Sequence, residues 1–279
     1  MASITVLIEN NSDRPDLEHQ HGLSVWVDTP NARILLDTGQ DGAFLQNASK
    51  LGVKPETADL LFLTHGHYDH TGGVPALLDT CARPEVALHP LAWDPRRSAH
   101  SDRPVRDIGI PWTQELFSNL DLTVITADKP QELMPGIWTT GSIKRRFDNP
   151  INAELQRLND GDWAPDGFPD EHALILKTTE GLVIVTGCTH TGIFNVIAAA
   201  QSATNTQRIH AILGGLHLVA TPANECVKIA NQLRGYDIPH IWVNHCTGKA
   251  AYQVLRDELG ESVEWAITGS THIIPDLAK

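Results

Sequence analysis

The chain has 279 residues, 41% of them apolar, which suffices to bury a substantial core in one large domain or two smaller ones. No apolar run approaches the about 18 residues of a membrane span and no secretory signal precedes the first strand, so we expect a soluble, cytoplasmic protein with no membrane partner. The net charge of −13 argues against nucleic acid as a partner, because nucleic-acid binders present a basic surface.

The N-terminal third alternates short apolar runs with helical patterns. A polar turn at residues 28–32 separates two of the runs, which indicates a hairpin. Gly52 follows apolar residues at helical spacing, as expected after the end of a helix. The predicted strands are Ile4–Ile8, Leu23–Val27, Arg33–Leu36, Asp59–Leu63 and Glu85–Leu88, and the predicted helices cover 44–51 and Val74–Leu78.

Residues 89–172 have a different texture, rich in Trp, Arg and Pro. The pattern predicts strands at Leu122–Ile125 and Ile137–Thr139 and otherwise an irregular insertion. Long irregular stretches in a compact protein are usually functional or mobile. This region is therefore either a functional cover or a set of ordinary surface loops.

From residue 173 the alternation of strands and helices returns. The N-terminal and C-terminal parts of the chain share a similar order of predicted strands and helices. This similarity predicts two αβ halves packed into a single domain over residues 1–279, with sheets inside and helices outside. The predicted strands are Ala173–Lys177, Leu182–Thr186, Ile209–Leu213, His240–Val243 and Val263–Ala266, and the predicted helices are Ile193–Ala200, Ala223–Leu233 and Ala250–Leu259.

A histidine cluster directly follows the strand that ends at Leu63. It reads His65-x-His67-x-Asp69-His70, with glycines at 66, 72 and 73 that allow a tight turn. Residues i and i+2 of an extended segment project to one side, so His65 and His67 can grip one ion. Imidazole and carboxylate ligands suit zinc, manganese or iron. Four ligands cannot complete two ions, so further ligands must come from later in the chain.

This segment resembles the metallo-β-lactamase superfamily, whose signature is HxHxDH after a strand. The preceding segment 35–39 resembles the upstream Asp motif of the superfamily. The segments 21–24, 47–48, 140–143, 170–174, 187–192, 214–218 and 245–248 resemble one subgroup, described as similar to 7,8-dihydropterin-6-methyl-4-(β-D-ribofuranosyl)aminobenzene 5'-phosphate synthase. The resemblance runs from about residue 4 to 270. It implies a four-layer αββα sandwich and two divalent metal ions, for which we expect zinc, with manganese or iron as alternatives.

The resemblance leaves alternatives for the remaining ligands of the first ion. Gly187-Cys188 stands where many members carry Gly-Asp, with an Asp that bridges both metals. Cys188 either ligates or bridges as a thiolate, or is a small buried residue without a metal role. We expect His190 to be the third ligand, in preference to His172.

The turn after His67 is expected to bring Asp69 and His70 to the other side of the shared site. His245, which follows the predicted strand at His240–Val243, is expected to be the terminal ligand of the second ion, the alternative being a hydrogen-bonded core residue. Asp69 is also expected to take part in proton transfer. His217 is positioned for catalysis, substrate contact or a spare metal position. Asp37 is expected to orient a ligand.

Two such ions activate a bridging hydroxide, which predicts hydrolysis of an ester, lactone or phosphoester. The alternatives are a synthase of the dihydropterin type, which displaces pyrophosphate, and a metal-binding protein without hydrolase activity.

Arginines of the 89–172 region are expected to overhang the metal site and, because guanidinium binds phosphate or carboxylate, to select an anionic small molecule. Trp93, Trp112 or Trp163 would stack on a flat ring of that molecule. The expected substrate-binding residues are Arg145, Arg146, His217 and Thr247, and the other arginines considered are Arg96, Arg97, Arg103 and Arg106.

Overall fold

Alternating side chains along the strands determine how the chain folds in layers. The computed structural model describes residues 2–278. In the strand Gly181–Val185, Val183 and Val185 face a core that is shared with the other large sheet, whereas Leu182 and Ile184 face helices. A strand with two buried faces belongs to the inner layers of a sandwich.

Two seven-stranded sheets form those inner layers, and they repeat one pattern of pairing. In each sheet the first three pairs of neighbouring strands are antiparallel and the last three are parallel. The repetition agrees with the two similar halves expected from the sequence. The N-terminal sheet has the order β18 (Thr271–Ile274), β1 (Ala2–Ile8), β2 (Ser24–Asp28), β3 (Arg33–Leu36), β4 (Leu60–Leu63), β5 (Glu85–Leu88) and β8 (Val124–Thr126); the C-terminal sheet has the order β9 (Gln131–Met134), β10 (Ile137–Thr139), β13 (Leu174–Thr178), β14 (Gly181–Val185), β15 (Ile209–Gly214), β16 (His240–Val243) and β17 (Val263–Trp265).

Helices cover the outer face of each sheet, which completes the αββα sandwich. Amphipathic helices bury one apolar stripe and leave the opposite face polar. Apart from the one-turn helix that carries Asp69 and His70, these helices do so against separate outer cores. The N-terminal layer contains α1 (Ala43–Leu51), α2 (Tyr68–Thr71), α3 (Val74–Asp79) and α4 (Glu115–Ser118), and the C-terminal layer contains α5 (Ile193–Thr204), α6 (Ala223–Arg234) and α7 (Lys249–Leu259). None of the helices within residues 2–278 combines the length and apolar character that crossing a bilayer requires.

The 89–172 region is more regular than the sequence predicted. Four of its strands form a small third sheet, and the strand predicted at Leu122–Ile125 lies at Val124–Thr126. The sequence prediction missed the small sheet because its strands are short and mixed in polarity, so period-two alternation is weak. The order of this sheet is β12 (Asp162–Pro165), β11 (Leu155–Asn159), β6 (Arg96–Ser98) and β7 (Arg106–Asp107).

Candidate metal centre and cleft

The polar side chains of the centre project from loops at the carboxyl ends of parallel strands. The histidine segment follows β4, and Cys188 and His245 follow β14 and β16. Parallel strands end on the same edge of a sheet, and in open α/β sheets ligands bind outside this edge. The stacking of the two sheets therefore brings residues from both halves of the chain together.

Three imidazoles form the first group of donors. One nitrogen from each of His65, His67 and His190 lies within 4.8 Å of the others, and each Nε2 is buried without a hydrogen-bond partner. Burial lowers the pKa of His67 to about 3 and holds the pKa values of His65 and His190 well below their usual range. Converging neutral imidazoles with unpartnered nitrogens are the donor set that a divalent transition metal requires.

Asp37 orients His70, the third histidine of the segment. Its carboxylate accepts from the backbone N–H and hydroxyl of Thr64 at 2.8 and 2.7 Å and lies 2.6 Å from Nδ1 of His70. Burial opposes protonation of His70, but the Asp37 carboxylate outweighs it and raises the pKa of His70 to about 9. A carboxylate at Nδ1 fixes the ring with Nε2 directed into the centre.

A second group of donors surrounds Asp69. Its Oδ2 lies 3.1 Å from His21 Nε2, 3.5 Å from His245 Nε2 and 3.8 Å from His70 Nε2. Burial alone would raise the pKa of Asp69, but His70 and His21 hold it well below its usual range. The carboxylate is therefore ionised and available to a cation.

Cys188 lies between the two groups. Its Sγ is 3.2 Å from Nε2 of His70, and the donor atoms of His65, His70 and Cys188 lie within 4.8 Å of one another. Burial raises the pKa of the Cys188 thiol well above its usual range. Because a coordinating thiol is deprotonated by the ion itself, such a thiol can still become a ligand.

Three consecutive residues support the loops of the centre from below. The Asp170 carboxylate accepts from the Gly66 N–H at 2.8 Å, and Glu171 accepts from the backbone N–H groups of residues 190 and 191 at 2.6 and 2.8 Å. His172 contacts the Leu63 carbonyl oxygen through Nε2 at 2.7 Å. The segment 170–172 thus ties together the ends of β4 and β14.

The backbone is strained at several strand ends around the centre. Asp37, Thr189, His217 and His245 have φ values of 54°, 54°, 50° and 47°, in the left-handed region that non-glycine residues rarely adopt. Such strain persists only where surrounding contacts enforce it, and it concentrates at functional sites.

A cleft of about 770 Å³ opens beside the first group. Phe168 stacks on His190 with ring centroids 3.7 Å apart and an interplanar angle of 3°, and the ring of His217 lies 4.2 Å from the same imidazole, centroid to centroid. Phe147 and Phe194 extend the aromatic wall. The cleft therefore combines apolar rings with neutral imidazoles, which is typical of small-molecule sites.

Arg145 places positive charge at this cleft. Its guanidinium donates to the carbonyl oxygens of Asn149, Gly167 and His190 at 2.9, 3.4 and 3.2 Å. No ion pair links it to a carboxylate among residues 2–278. Carbonyl contacts therefore hold the side chain at the cleft without an ion pair, although Asp148, Glu154, Asp166 and Glu225 line the same cleft.

The sequence profile of the metallo-beta-lactamase superfamily matches residues 19–200. The chain belongs to this superfamily. It is 28% identical to 7,8-dihydropterin-6-methyl-4-(beta-D-ribofuranosyl)-aminobenzene-5'-phosphate synthase of Methanocaldococcus jannaschii, over 88% of this chain and 87% of that protein. An uncharacterized protein of the same organism, MJ0448, is 29% identical over 88% and 90% of the two chains.

Solved structures of superfamily members share the fold. Tm1679, described as a metal-dependent hydrolase of the beta-lactamase superfamily, superposes with a TM-score of 0.86 and 29% identity over 99% of this chain and 100% of that one. Zinc-bound PqqB from Methylobacterium extorquens superposes with a TM-score of 0.60 at 12% identity, over 98% and 100%. The second likeness shows the fold alone.

The structure of this superfamily member brings all seven predicted ligands together. Asp69 and the five histidines at 65, 67, 70, 190 and 245 converge with Cys188. His172 does not join them, because its two ring nitrogens contact Thr139 Oγ1 at 2.9 Å and the Leu63 carbonyl oxygen. It supports β4 instead of facing the centre.

The expected arginine cover requires correction. Arg96 is 1% exposed and pairs with Asp166 and Asp170 at 2.9 and 2.6 Å, so it lies beneath the centre. Arg146 lines a separate cavity of about 320 Å³ beside α5. The side chains of these two consecutive residues diverge, and of the arginines predicted to cover the site only Arg145 lines the cleft.

The remaining predicted cover residues also lie elsewhere. Thr247 is buried, and its hydroxyl accepts from the Leu216 N–H at 2.9 Å, which orients the loop before His217. Trp93 and Trp112 pack against each other and Phe117. The other four predicted cover residues lie at the surface or in the small third sheet: Arg97 lies over Trp163, Arg103 contacts His100, and Arg106 is exposed in β7.

Two residues of the second group were not predicted. His21 contacts Asp69, and Asn10 Oδ1 lies 2.8 Å from Nδ1 of His245 and its Nδ2 lies 3.4 Å from Nδ1 of His21. The resemblance to the subgroup included the 21–24 segment but gave His21 no metal role. Asn10 carried no signal, since nothing in its local sequence relates it to a residue 235 positions away.

Proposed function

We propose that this protein is a hydrolase that uses two divalent metal ions to cleave an ester, lactone or phosphoester bond of an anionic small molecule. One observation carries the proposal: three buried, unpartnered imidazole nitrogens converge beside an ionised carboxylate at the end of an open cleft. The donor set of imidazole, carboxylate and thiol fits zinc.

The proposed division of ligands follows the two groups of donors. His65, His67 and His190 would hold one ion, and Asp69, His70 and His245 would hold the other, with Cys188 between them. Ions held there would supply Lewis acidity and would lower the pKa of water enough to provide a nucleophile at neutral pH.

The residues around the ions supply binding and proton transfer. Asp69, kept ionised by its neighbours, would accept the proton of the attacking water and deliver it to the leaving group. His217 faces the cleft next to His190, and burial lowers its pKa, so it presents a neutral imidazole that can hydrogen-bond substrate.

Removal of the ions tests the proposal. Protein treated with a chelator and then dialysed should lose hydrolysis of ester, lactone and phosphoester panels, and zinc or manganese should restore it. His190→Ala should behave like the chelated protein, whereas the exposed His19→Ala should match the wild type. Hydrolysis that persists in metal-free protein, or that is absent from every class of substrate in the loaded protein, contradicts the proposal.

Arg145 provides a test of the anionic substrate. Removing its charge should raise KM for the anionic substrate by about threefold or more, as expected for loss of a charge-assisted contact, with a smaller effect on kcat. Arg146→Ala is the matched control, because Arg146 lines the other cavity. Equal KM values for the two variants would show that Arg145 does not bind the substrate.

A synthase activity is the second candidate. It is favoured by the 28% identity to the dihydropterin-related synthase over most of both chains. The same ions would then stabilise departing pyrophosphate in place of activating water. Incubation of the loaded protein with a dihydropterin pyrophosphate and an aminobenzene ribose phosphate distinguishes the candidates: a synthase forms the joined product, and a hydrolase does not.

A further inference from the structure

A second thiol lies next to the proposed bridging residue. Cys246 is 8% exposed and follows His245 in the turn after β16, and its Sγ lies 3.5 Å from the carbonyl oxygen of Cys188. The backbone leaves room for this sulfur only because residue 215 is glycine: a Cβ there would lie 2.4 Å from Sγ. Cys246 is therefore seated against both loops of the centre.

The two thiols and an imidazole form a third group of donors. The donor atoms of Cys188, His245 and Cys246 lie within 4.8 Å of one another, and all three residues are buried. Ligands of a tetrahedral zinc ion with metal–ligand bonds of about 2.1–2.3 Å stand roughly 3.4–3.8 Å apart. The separations of these donor atoms therefore exceed that spacing by at most roughly 1–1.4 Å.

The other two cysteines do not lie beside metal-ligand side chains and serve as a comparison. Cys81 is exposed, and Cys226 packs in the helical layer, where its Sγ contacts the Thr221 carbonyl oxygen at 3.7 Å. Neither belongs to a group of donors within residues 2–278. The proximity of Cys246 to imidazoles is thus particular to its position.

The positive charge of two divalent ions would also require more negative ligands than Asp69 alone. Asp69 is the carboxylate present in the groups of donors found in the described part of the chain, and Asp37 stands behind His70. Two divalent ions bring four positive charges into a buried region. Buried charges must be paired, and thiolates at 188 and 246 would add two negative charges directly at the ions.

We propose that Cys246 is a thiolate ligand of the second ion, alongside His245 and a bridging Cys188, and that this sulfur pair selects zinc over manganese. The inference rests on the proposed function. When the ion binds, each S–H bond breaks, its proton leaves to solvent, and the sulfur keeps the electron pair that it donates to the metal. Thiolate favours zinc, whereas carboxylate and water favour manganese.

Cobalt substitution tests the assignment without any assay of activity. Co²⁺ titrated into metal-free protein should produce a near-ultraviolet thiolate-to-metal charge-transfer band from three sulfur–cobalt bonds, two made by Cys188 and one by Cys246. The band should fall by about a third in Cys246→Ser and by about two thirds in Cys188→Ser, in proportion to the bonds removed. Cys226→Ser is the matched control and should keep the full band.

The result that overturns the inference is a full band in Cys246→Ser. A wild-type protein that binds two cobalt ions without any band would remove both thiols from the centre and leave the histidine and aspartate ligands of the proposed function intact. A protein that binds no cobalt would contradict the proposed function itself. Cadmium-113 NMR of the wild-type protein, whose shifts report the sulfur ligands of each ion, gives the same answer without a variant.

Discussion

A single amide positions two histidines of the second group. Asn10 Oδ1 lies 2.8 Å from Nδ1 of His245, so this nitrogen carries the proton and Nε2 is left free toward Asp69. The Nδ2 group of Asn10 reaches Nδ1 of His21 at 3.4 Å. Partners behind metal ligands fix the tautomer and orientation of the ring.

Asn10→Ala should therefore weaken binding at the second site while leaving the first intact. Loss of such a partner typically costs about 10–100-fold in metal affinity. Zinc titration followed by calorimetry should show one site at wild-type affinity and one that is weaker. Asn31→Ala, in the exposed hairpin turn, is the control; equal affinities in the two variants would refute the positioning role.

His172 gives the protein a predictable dependence on pH. Burial lowers the pKa of His172 to about 3 in the folded state, whereas an unfolded histidine titrates near about 6.5. Between these two pKa values, the histidine is therefore protonated in the unfolded chain and neutral in the folded chain. Stability from this residue is complete above pH 6.5 and is lost as the pH falls from 6.5 toward 3.

Urea unfolding of metal-free protein between pH 5 and 6.5 should reveal this residue. As the pH falls, the free energy of unfolding should decrease less steeply in His172→Gln than in the wild type. The two slopes should differ by roughly 1.4 kcal/mol per pH unit, the value for one proton. Parallel pH profiles for the two proteins would mean that His172 does not resist protonation in the folded state.

At the scale of elements, the segment 170–172 couples the two loops of the centre. The carboxylate of Glu171 accepts three hydrogen bonds, from the N–H groups of residues 190 and 191 and from Thr191 Oγ1. All of these groups are buried. The position of His190 therefore depends on a residue outside the ligand set.

Glu171→Gln places an amide N–H₂ against backbone N–H donors, so at least one buried donor is left unsatisfied. We expect the free energy of unfolding to fall by about 1–3 kcal/mol and the first metal site to weaken. Chemical denaturation and zinc titration measure the two effects. The exposed Glu261→Gln serves as control, and a Glu171 variant as stable as this control would contradict the supporting role.

Elements were predictable where local pattern and burial agree. The hairpin at 28–32 and the layers of the sandwich follow from alternation, and the ligand segment follows from spacing. The β11–β12 hairpin was missed although its turn, Asp160-Gly161, adopts φ values of 50° and 92° that Asp-Gly favours. The flanking strands are mostly polar and exposed. The Asp-Gly turn was therefore not flanked by the alternation of apolar and polar residues that indicates strands.

Residues that act over long sequence separations were beyond sequence reasoning. Asn10 and His21 reach the centre only because β1 and β2 lie beside the loop after β4. The opposite directions of Arg145 and Arg146 depend on the path of an irregular segment. Neither placement is encoded in a local period, and both require the packed tertiary structure.

At the scale of the whole molecule, the proposed ions would connect the two halves of the chain. The ligands at 65–70 come from the N-terminal half, and Cys188, His190 and His245 come from the C-terminal half. A ligand that binds only the folded state stabilises it by about 4 kcal/mol at a thousandfold excess over Kd.

Metal removal should therefore lower the melting temperature of the whole chain. Calorimetric scans should show one transition that moves down by several degrees after chelation and returns when zinc is restored. His245→Ala should show a smaller upward shift on zinc addition than the wild type. A melting temperature that does not respond to zinc would mean that no ion bridges the halves.

The order of residues in the segment 170–172 has a consequence for divergence among relatives. Each of the three side chains hydrogen-bonds a different part of the backbone. Deleting or inserting one residue there would shift the side chains along the chain and break these hydrogen bonds. Relatives should therefore differ in chain length elsewhere, for instance in the exposed loop at 101–105, and keep the spacing between β13 and the preceding loop constant.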